Sequence, residues 1–356
     1  MRIDGHADPR FGQVRDALAD VLASQGGPGA AVAGWVDGSW VLDLWGGQAN
    51  ASGRPWQRDS LVQPYSVTKP FAAICALLLA ARGQLDLDAP VQRYWPEFTA
   101  PATVRHVLSH QAGVVALDAE APAEAFYDWA GLCDLLARQE PQWEPGTRPG
   151  ESALFYGHLT GEIVRRIDGR MPGRFLREEV CGPLGLDFHV GLGPAEQARA
   201  VDLTGLNELT RQCALAPPMY QRAVSNPRGV FDPAVVNGQA WRAAQVPAVN
   251  GHGTARGTAG LYAALLSGGL LPPGLLAQAT VPQCSGTDAV FGEQVSWGLG
   301  FAVEDRTFGM GGVGGSYAGA ADGYAFCFIT AAMGSHDRAT AVEDAFRACL
   351  GLGPLD

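Results

Sequence analysis

Between residues 8 and 25 the apolar positions Phe11, Val14, Leu18, Val21 and Leu22 recur at helical spacing, predicting an amphipathic helix closed by Gly26-Gly27-Pro28-Gly29. Two apolar runs, 30–36 and 40–45, flank Asp37-Gly38 and predict a β-hairpin. Residues 46–63 read as a polar loop. The run from Phe71 to Ala81 is apolar on every side, which predicts a buried helix. Leu85-Asp86-Leu87-Asp88-Ala89-Pro90 closes it. From about 90 to 245 the pattern breaks into short helices and long loops, with helical spacing at 104–109, 126–139, 158–167 and 174–180. A helix is expected near 258–267, strands at 296–304, 306–310 and 324–331, and a closing amphipathic helix at 337–350. Strands at both ends with helices between predict an α+β chain. It has one antiparallel sheet built from both termini, flanked by terminal helices, with a helical lobe inserted in the middle. The expected division is a single domain, 1–356. Its sheet lobe takes about 1–65 and 250–356, and its helical lobe about 66–249.

The chain's 356 residues are enough to bury a large core. A net charge of −11 argues against a nucleic-acid partner and against an anionic membrane surface. The longest apolar run is about half of a membrane span, and no apolar segment follows Met1-Arg2-Ile3-Asp4-Gly5-His6 to mark a signal peptide. Seven cysteines, an odd number without a C-x-x-C, argue for free thiols in the cytoplasm. No His/Cys spacing indicates a metal, and no glycine-rich loop in a βαβ setting indicates a cofactor. The expected partner is a small-molecule substrate. Oligomeric state is left open.

The chemistry concentrates in Tyr65-Ser66-Val67-Thr68-Lys69-Pro70. If a helix starts at or near Ser66, the serine and Lys69 share a face. The helix N-terminus adds backbone N–H groups suited to an oxyanion. The apolar run that follows would desolvate the amine and lower its pKa. Lys69 is the only lysine; the other basic residues are arginine. Where most cations are arginine, the site that keeps lysine is a candidate for chemistry that needs a removable proton.

Nine landmarks now fall in order. They are Ser66-x-x-Lys69, Gly83-x-Leu85-x-Leu87-Asp88-x-Pro90-Val91, Val107-Leu108-Ser109-His110-x-x-Gly113, Trp143-Glu144-Pro145-Gly146-Thr147 and Gly161-Glu162-Ile163. Asn226-Pro227, Asn250-Gly251-His252-Gly253-Thr254-Ala255-Arg256, Trp297-Gly298-x-Gly300 and the stretch from Gly311 to Ser316 complete the set. With them the chain resembles, over almost its whole length, the serine β-lactamase and penicillin-binding-protein superfamily. Its class C-like branch of family VIII carboxylesterases is the nearest in pattern. The resemblance implies a two-lobe α/β fold and acyl transfer through an acyl-serine, with Ser66 as nucleophile and Lys69 beside it. It also implies an oxyanion hole from the backbone N–H groups of Ser66 and Val313, with Tyr65, Met310 and Gly312 around the substrate.

Two motifs depart from that pattern. The family's second motif begins with a tyrosine about ten residues before Gly161; by spacing that place falls on Glu151, and Tyr156 comes five residues later. The third motif normally carries lysine or histidine, and here reads Met310-Gly311-Gly312-Val313. Methionine neither donates a hydrogen bond nor carries charge, which argues against recognition of a β-lactam carboxylate. Glu151 becomes the candidate proton partner of Lys69; a carboxylate there would raise the lysine pKa and oppose the desolvation. Tyr156, as a displaced phenol, and His158 are further possibilities. His106, His110 and His252 belong to landmarks and read as structural. The expected function is serine-dependent acyl transfer, as an esterase or transacylase. The alternatives are non-hydrolytic acid–base chemistry by Glu151, such as cyclisation or isomerisation, and a catalytically dead binding protein.

Overall fold

The strands at the two ends of the chain pair with each other, which sets the architecture. The computed structural model describes residues 2–354 except Asp322. Strands β1 (Ile3–Ala7), β2 (Ala30–Val36) and β3 (Ser39–Gly46) come from the start of the chain. Strands β4 (Cys284–Thr287), β5 (Gln294–Trp297), β6 (Ala302–Glu304), β7 (Thr307–Gly312), β8 (Ser316–Ala321) and β9 (Tyr324–Thr330) come from its end. They form one nine-stranded antiparallel sheet in the order β1-β3-β2-β9-β8-β7-β6-β5-β4. The two sets join at β2 and β9, in register from Ala30 opposite Thr330 to Val36 opposite Tyr324.

Helix α1 (Gly12–Gln25) and the last helix pack together over one face of this sheet, around Phe11, Val14, Leu18, Phe326 and Phe346. The other face carries the larger core. There lie α2 (Lys69–Ala81), α3 (Tyr156–Asp168) and α4 (Ala255–Leu266), with α5 (Asp337–Cys349) being the last helix on the opposite face. Every residue of α2 from Lys69 to Leu79 is buried, as expected of a helix apolar all round. Thr254 caps α4 by accepting the Gly257 N–H at 2.9 Å.

Several elements differ from the sequence reading. The serine segment is a 3-10 turn, Tyr65–Thr68, and the α-helix proper begins at Lys69. The strand expected at 296–304 is two strands, β5 and β6, because the chain turns at Gly298–Gly300. Gly300 has φ 92, and a Cβ on it would lie 2.1 Å from the Cβ of Ala73, so the corner fits only without a side chain. Strands β1, β4 and β8 carry no strong apolar alternation and were not expected. Among the described residues, no helix is long and apolar enough to cross a membrane.

Candidate active site

Ser66 is the one residue between 61 and 79 that is not buried. The backbone delivers it there at a cost: Tyr65, just before it, sits at φ 48, a left-handed conformation uncommon for a bulky residue. Tyr65 is locked in place by burial, by donating its hydroxyl to Val230 O at 2.9 Å, and by its ring against Phe231. In a 3-10 turn, residues three apart eclipse. The Lys69 amine therefore rises directly toward the serine and donates to Ser66 Oγ at 2.7 Å.

Lys69 is wholly buried. Its other N–H groups point at Ala153 O, 3.0 Å, and Ala248 O, 3.4 Å. Glu151 Oε1 stands 2.9 Å from the same nitrogen. It acts on the amine through charge first and through a side-chain contact second, and apart from Lys69 no hydrogen-bond donor among the described residues meets it. The two influences foreseen for the amine are both present. Burial pushes its pKa down and Glu151 pulls it up; burial is the larger, so the amine sits below the ordinary lysine value.

Strand β7 closes the other side. A Cβ on Gly312 would come 2.0 Å from Pro64 O and 3.4 Å from Ser66 N, so bare backbone lies flush against the serine turn. Gly311, next along, faces the opposite way, onto His336. Met310 is buried two residues back, on the Gly312 side. Val313, partly buried, packs against the large core at the strand's end.

The two further candidates are engaged elsewhere. Tyr156 is buried, packs its ring at a tilt against His110 and donates its hydroxyl to Leu108 O at 3.2 Å; burial pushes its pKa up. His158 stacks on Trp129, and burial pulls its pKa down to about 3. Sequence reasoning missed the carbonyls of Ala153 and Ala248 on the amine, and Asp288, which accepts the Glu151 N–H at 2.8 Å. Backbone acceptors and a contact across 137 residues leave no periodic signal. Among the described residues no group of three or more His, Cys, Asp or Glu side chains converges to hold a metal.

Beyond Tyr65 lies a cavity of about 830 Å³ whose walls include Val230, Phe231, Cys213 and Val224, with Arg228 at its exposed rim. Tyr65, Ser66, Lys69 and Glu151 do not line it; Tyr65 only touches two of its wall residues, Val230 and Phe231.

A family model described as Beta-lactamase matches residues 14–348. The chain belongs to the Beta-lactamase family. A solved family VIII carboxylesterase superposes on this Beta-lactamase-family chain with a TM-score of 0.89 at 33% identity, covering 98% of this chain and 100% of that one. The esterase/beta-lactamase LipL of Mycobacterium tuberculosis is 34% identical over 285 residues, which is 75% of this chain and 65% of LipL. Esterase EstB of Burkholderia gladioli is 42% identical over 155 residues, 38% of this chain and 39% of EstB. The chain thus spans less than two thirds of the length of either curated relative.

Proposed function

We propose that the chain is a serine-dependent acyl-transfer enzyme, an esterase or transacylase acting on a small-molecule ester, thioester or amide through an acyl-Ser66 intermediate. The observation that carries the reading is the 2.7 Å contact between Oγ of Ser66, the one residue of its segment that is not buried, and the fully buried amine of the only lysine. Ser66 Oγ attacks the carbonyl carbon while its proton passes to a neutral Lys69. A lowered amine pKa makes that form accessible. The Glu151 carboxylate, 2.9 Å away, then balances the ammonium that Lys69 becomes on taking the serine proton. The oxyanion is received by the N–H groups of Ser66 and Val313, with Gly312 leaving the approach clear. The leaving alcohol, thiol or amine takes its proton from the Lys69–Glu151 pair. Water or an acceptor then releases the acyl group.

Relatives described as esterases and a carboxylesterase support this class of reaction. The reading places Ser66 at the junction of a sheet lobe, about 1–65 and 250–356, and a helical lobe, about 66–249. All seven cysteines are free thiols, which suits a reducing compartment and supports action in the cytoplasm.

The test is turnover of an aryl ester with and without an added alcohol. The parent should release the phenol and divide the acyl group between water and alcohol, and Ser66→Ala should do neither. Equal turnover by Ser66→Ala would end the reading.

A further inference from the structure

We propose that Asp288 and His110 are positioning residues for Glu151, gripping the backbone of residues 150–152 from two sides so that its carboxylate meets Lys69. The proposal rests on Glu151 being the proton-handling partner of Lys69.

Three consecutive N–H groups in this loop are bonded to residues distant in sequence. Gly150 donates to His110 O at 2.9 Å, Glu151 to Asp288 Oδ2 at 2.8 Å, and Ser152 to His110 Nδ1 at 3.2 Å. Both anchors are buried. Asp288 lies in the turn between β4 and β5, and its Oδ1 accepts the N–H groups of Val290 and Phe291 at 2.8 and 3.0 Å. That oxygen fixes the carboxylate in its own turn. The other, Oδ2, reaches across to Glu151 and also accepts Trp297 Nε1 at 3.3 Å. Ala289 N–H donates to Pro149 O at 3.0 Å, so the turn holds the loop at a second point.

His110 offers the same loop both its carbonyl and its ring. Its backbone is at φ 57, in the left-handed region that histidine visits more readily than most residues. The ring is wedged between Tyr156 and Trp297, with centroids 4.6 and 4.5 Å away. Because Nδ1 accepts from Ser152, the neutral ring carries its proton on Nε2. Burial and the nearby Lys69 charge both disfavour a charged ring, which would turn Nδ1 into a donor and break the grip.

Glu151 needs this support for a physical reason. Apart from Lys69, no hydrogen-bond donor among the described residues meets its Oε1. A glutamate is also shorter, and freer to rotate, than the tyrosine its relatives' pattern places there. Its aim at Lys69 therefore depends on where the backbone puts its Cα. A misplacement of about 1 Å in a proton-handling group costs roughly a hundredfold in rate.

The experiment is a double-mutant cycle between Asp288→Asn and Glu151→Gln. It reads kcat and KM for an aryl ester, together with the rate at which a fluorophosphonate modifies Ser66. In the parent, Asp288→Asn should lower kcat and the modification rate by about tenfold to a hundredfold, leaving KM nearly unchanged. In Glu151→Gln it should change neither rate by more than about twofold, because nothing remains to position. An equal fall in both backgrounds, or none in the parent, overturns the proposal and leaves the role of Glu151 standing. Parental activity in Glu151→Gln overturns that role and the proposal with it. Should Asp288→Asn fail to fold, His110→Phe runs the same cycle: it keeps a ring between Tyr156 and Trp297 and removes only the acceptor for Ser152, with the same two outcomes deciding.

Discussion

Lys69 stands between two opposed pulls, the apolar core that surrounds it and the carboxylate 2.9 Å away. Because burial wins, the limb of kcat/KM that rises as the amine loses its proton should lie below the ordinary lysine pKa of about 10.4. Glu151→Gln removes the influence that raises the amine pKa, so in that variant the same limb should move further toward acid; a pH–rate profile of each protein checks the sign. Lys69→Arg should fold and lose about 10²- to 10⁴-fold in kcat/KM, since arginine keeps the charge and cannot give up its proton. Steady-state kinetics on the circular-dichroism-checked variant measures this. The spacing of Ser66 and Lys69, and of Glu151 between two landmarks, was legible in the sequence because those residues mark turns of a helix or a loop of fixed length. Asp288 was not legible. Its contact with Glu151 spans 137 residues, and its carboxylate accepts only N–H groups, a role any buried Asp could fill anywhere in the chain.

At the scale of elements, hydrophobic pattern served where one face is apolar and failed where residues are small. The hairpin of β2 and β3 and the helices α1, α2 and α5 were visible as periodic or continuous apolar runs. Strand β8, Ser-Tyr-Ala-Gly-Ala-Ala, has little intrinsic strand preference; its neighbours β7 and β9 hold it on both sides. The break between β5 and β6 depends on Ala73 of α2, a contact no local pattern records. The same close fit makes β7 a test. Gly312→Ala would press a methyl group against Pro64 O and the Ser66 turn. We expect a stability loss of about 1–3 kcal/mol, seen in urea melts, together with a larger loss of turnover. A substitution that leaves both unchanged contradicts the placement of β7 against the serine.

At the scale of the molecule, the sheet separates two cores, and the terminal helices close the one away from Ser66. That layer holds a carboxylate out of place. Glu343 of α5 is buried, accepts from Tyr324 Oη at 3.1 Å, and has its pKa pushed by burial up to about 7, although Arg347 nearby pulls the other way and Asp344 adds to the rise. Below the ordinary glutamate value of 4.5 both folded and unfolded chains hold the proton. Between 4.5 and about 7 only the folded chain does, so stability falls as pH rises through this window. The full effect is on the order of 3 kcal/mol. Glu343→Gln should therefore melt higher than the parent at pH 8, with the gap closing by pH 4; thermal melts across that range check it.

The central claim is that Ser66 is an activated nucleophile. Intact-protein mass spectrometry after treatment with a fluorophosphonate tests it directly. The account predicts a single covalent adduct on the parent and none on Ser66→Ala. A folded parent that takes up no adduct from several such probes, or a Ser66→Ala variant that is labelled equally, contradicts it.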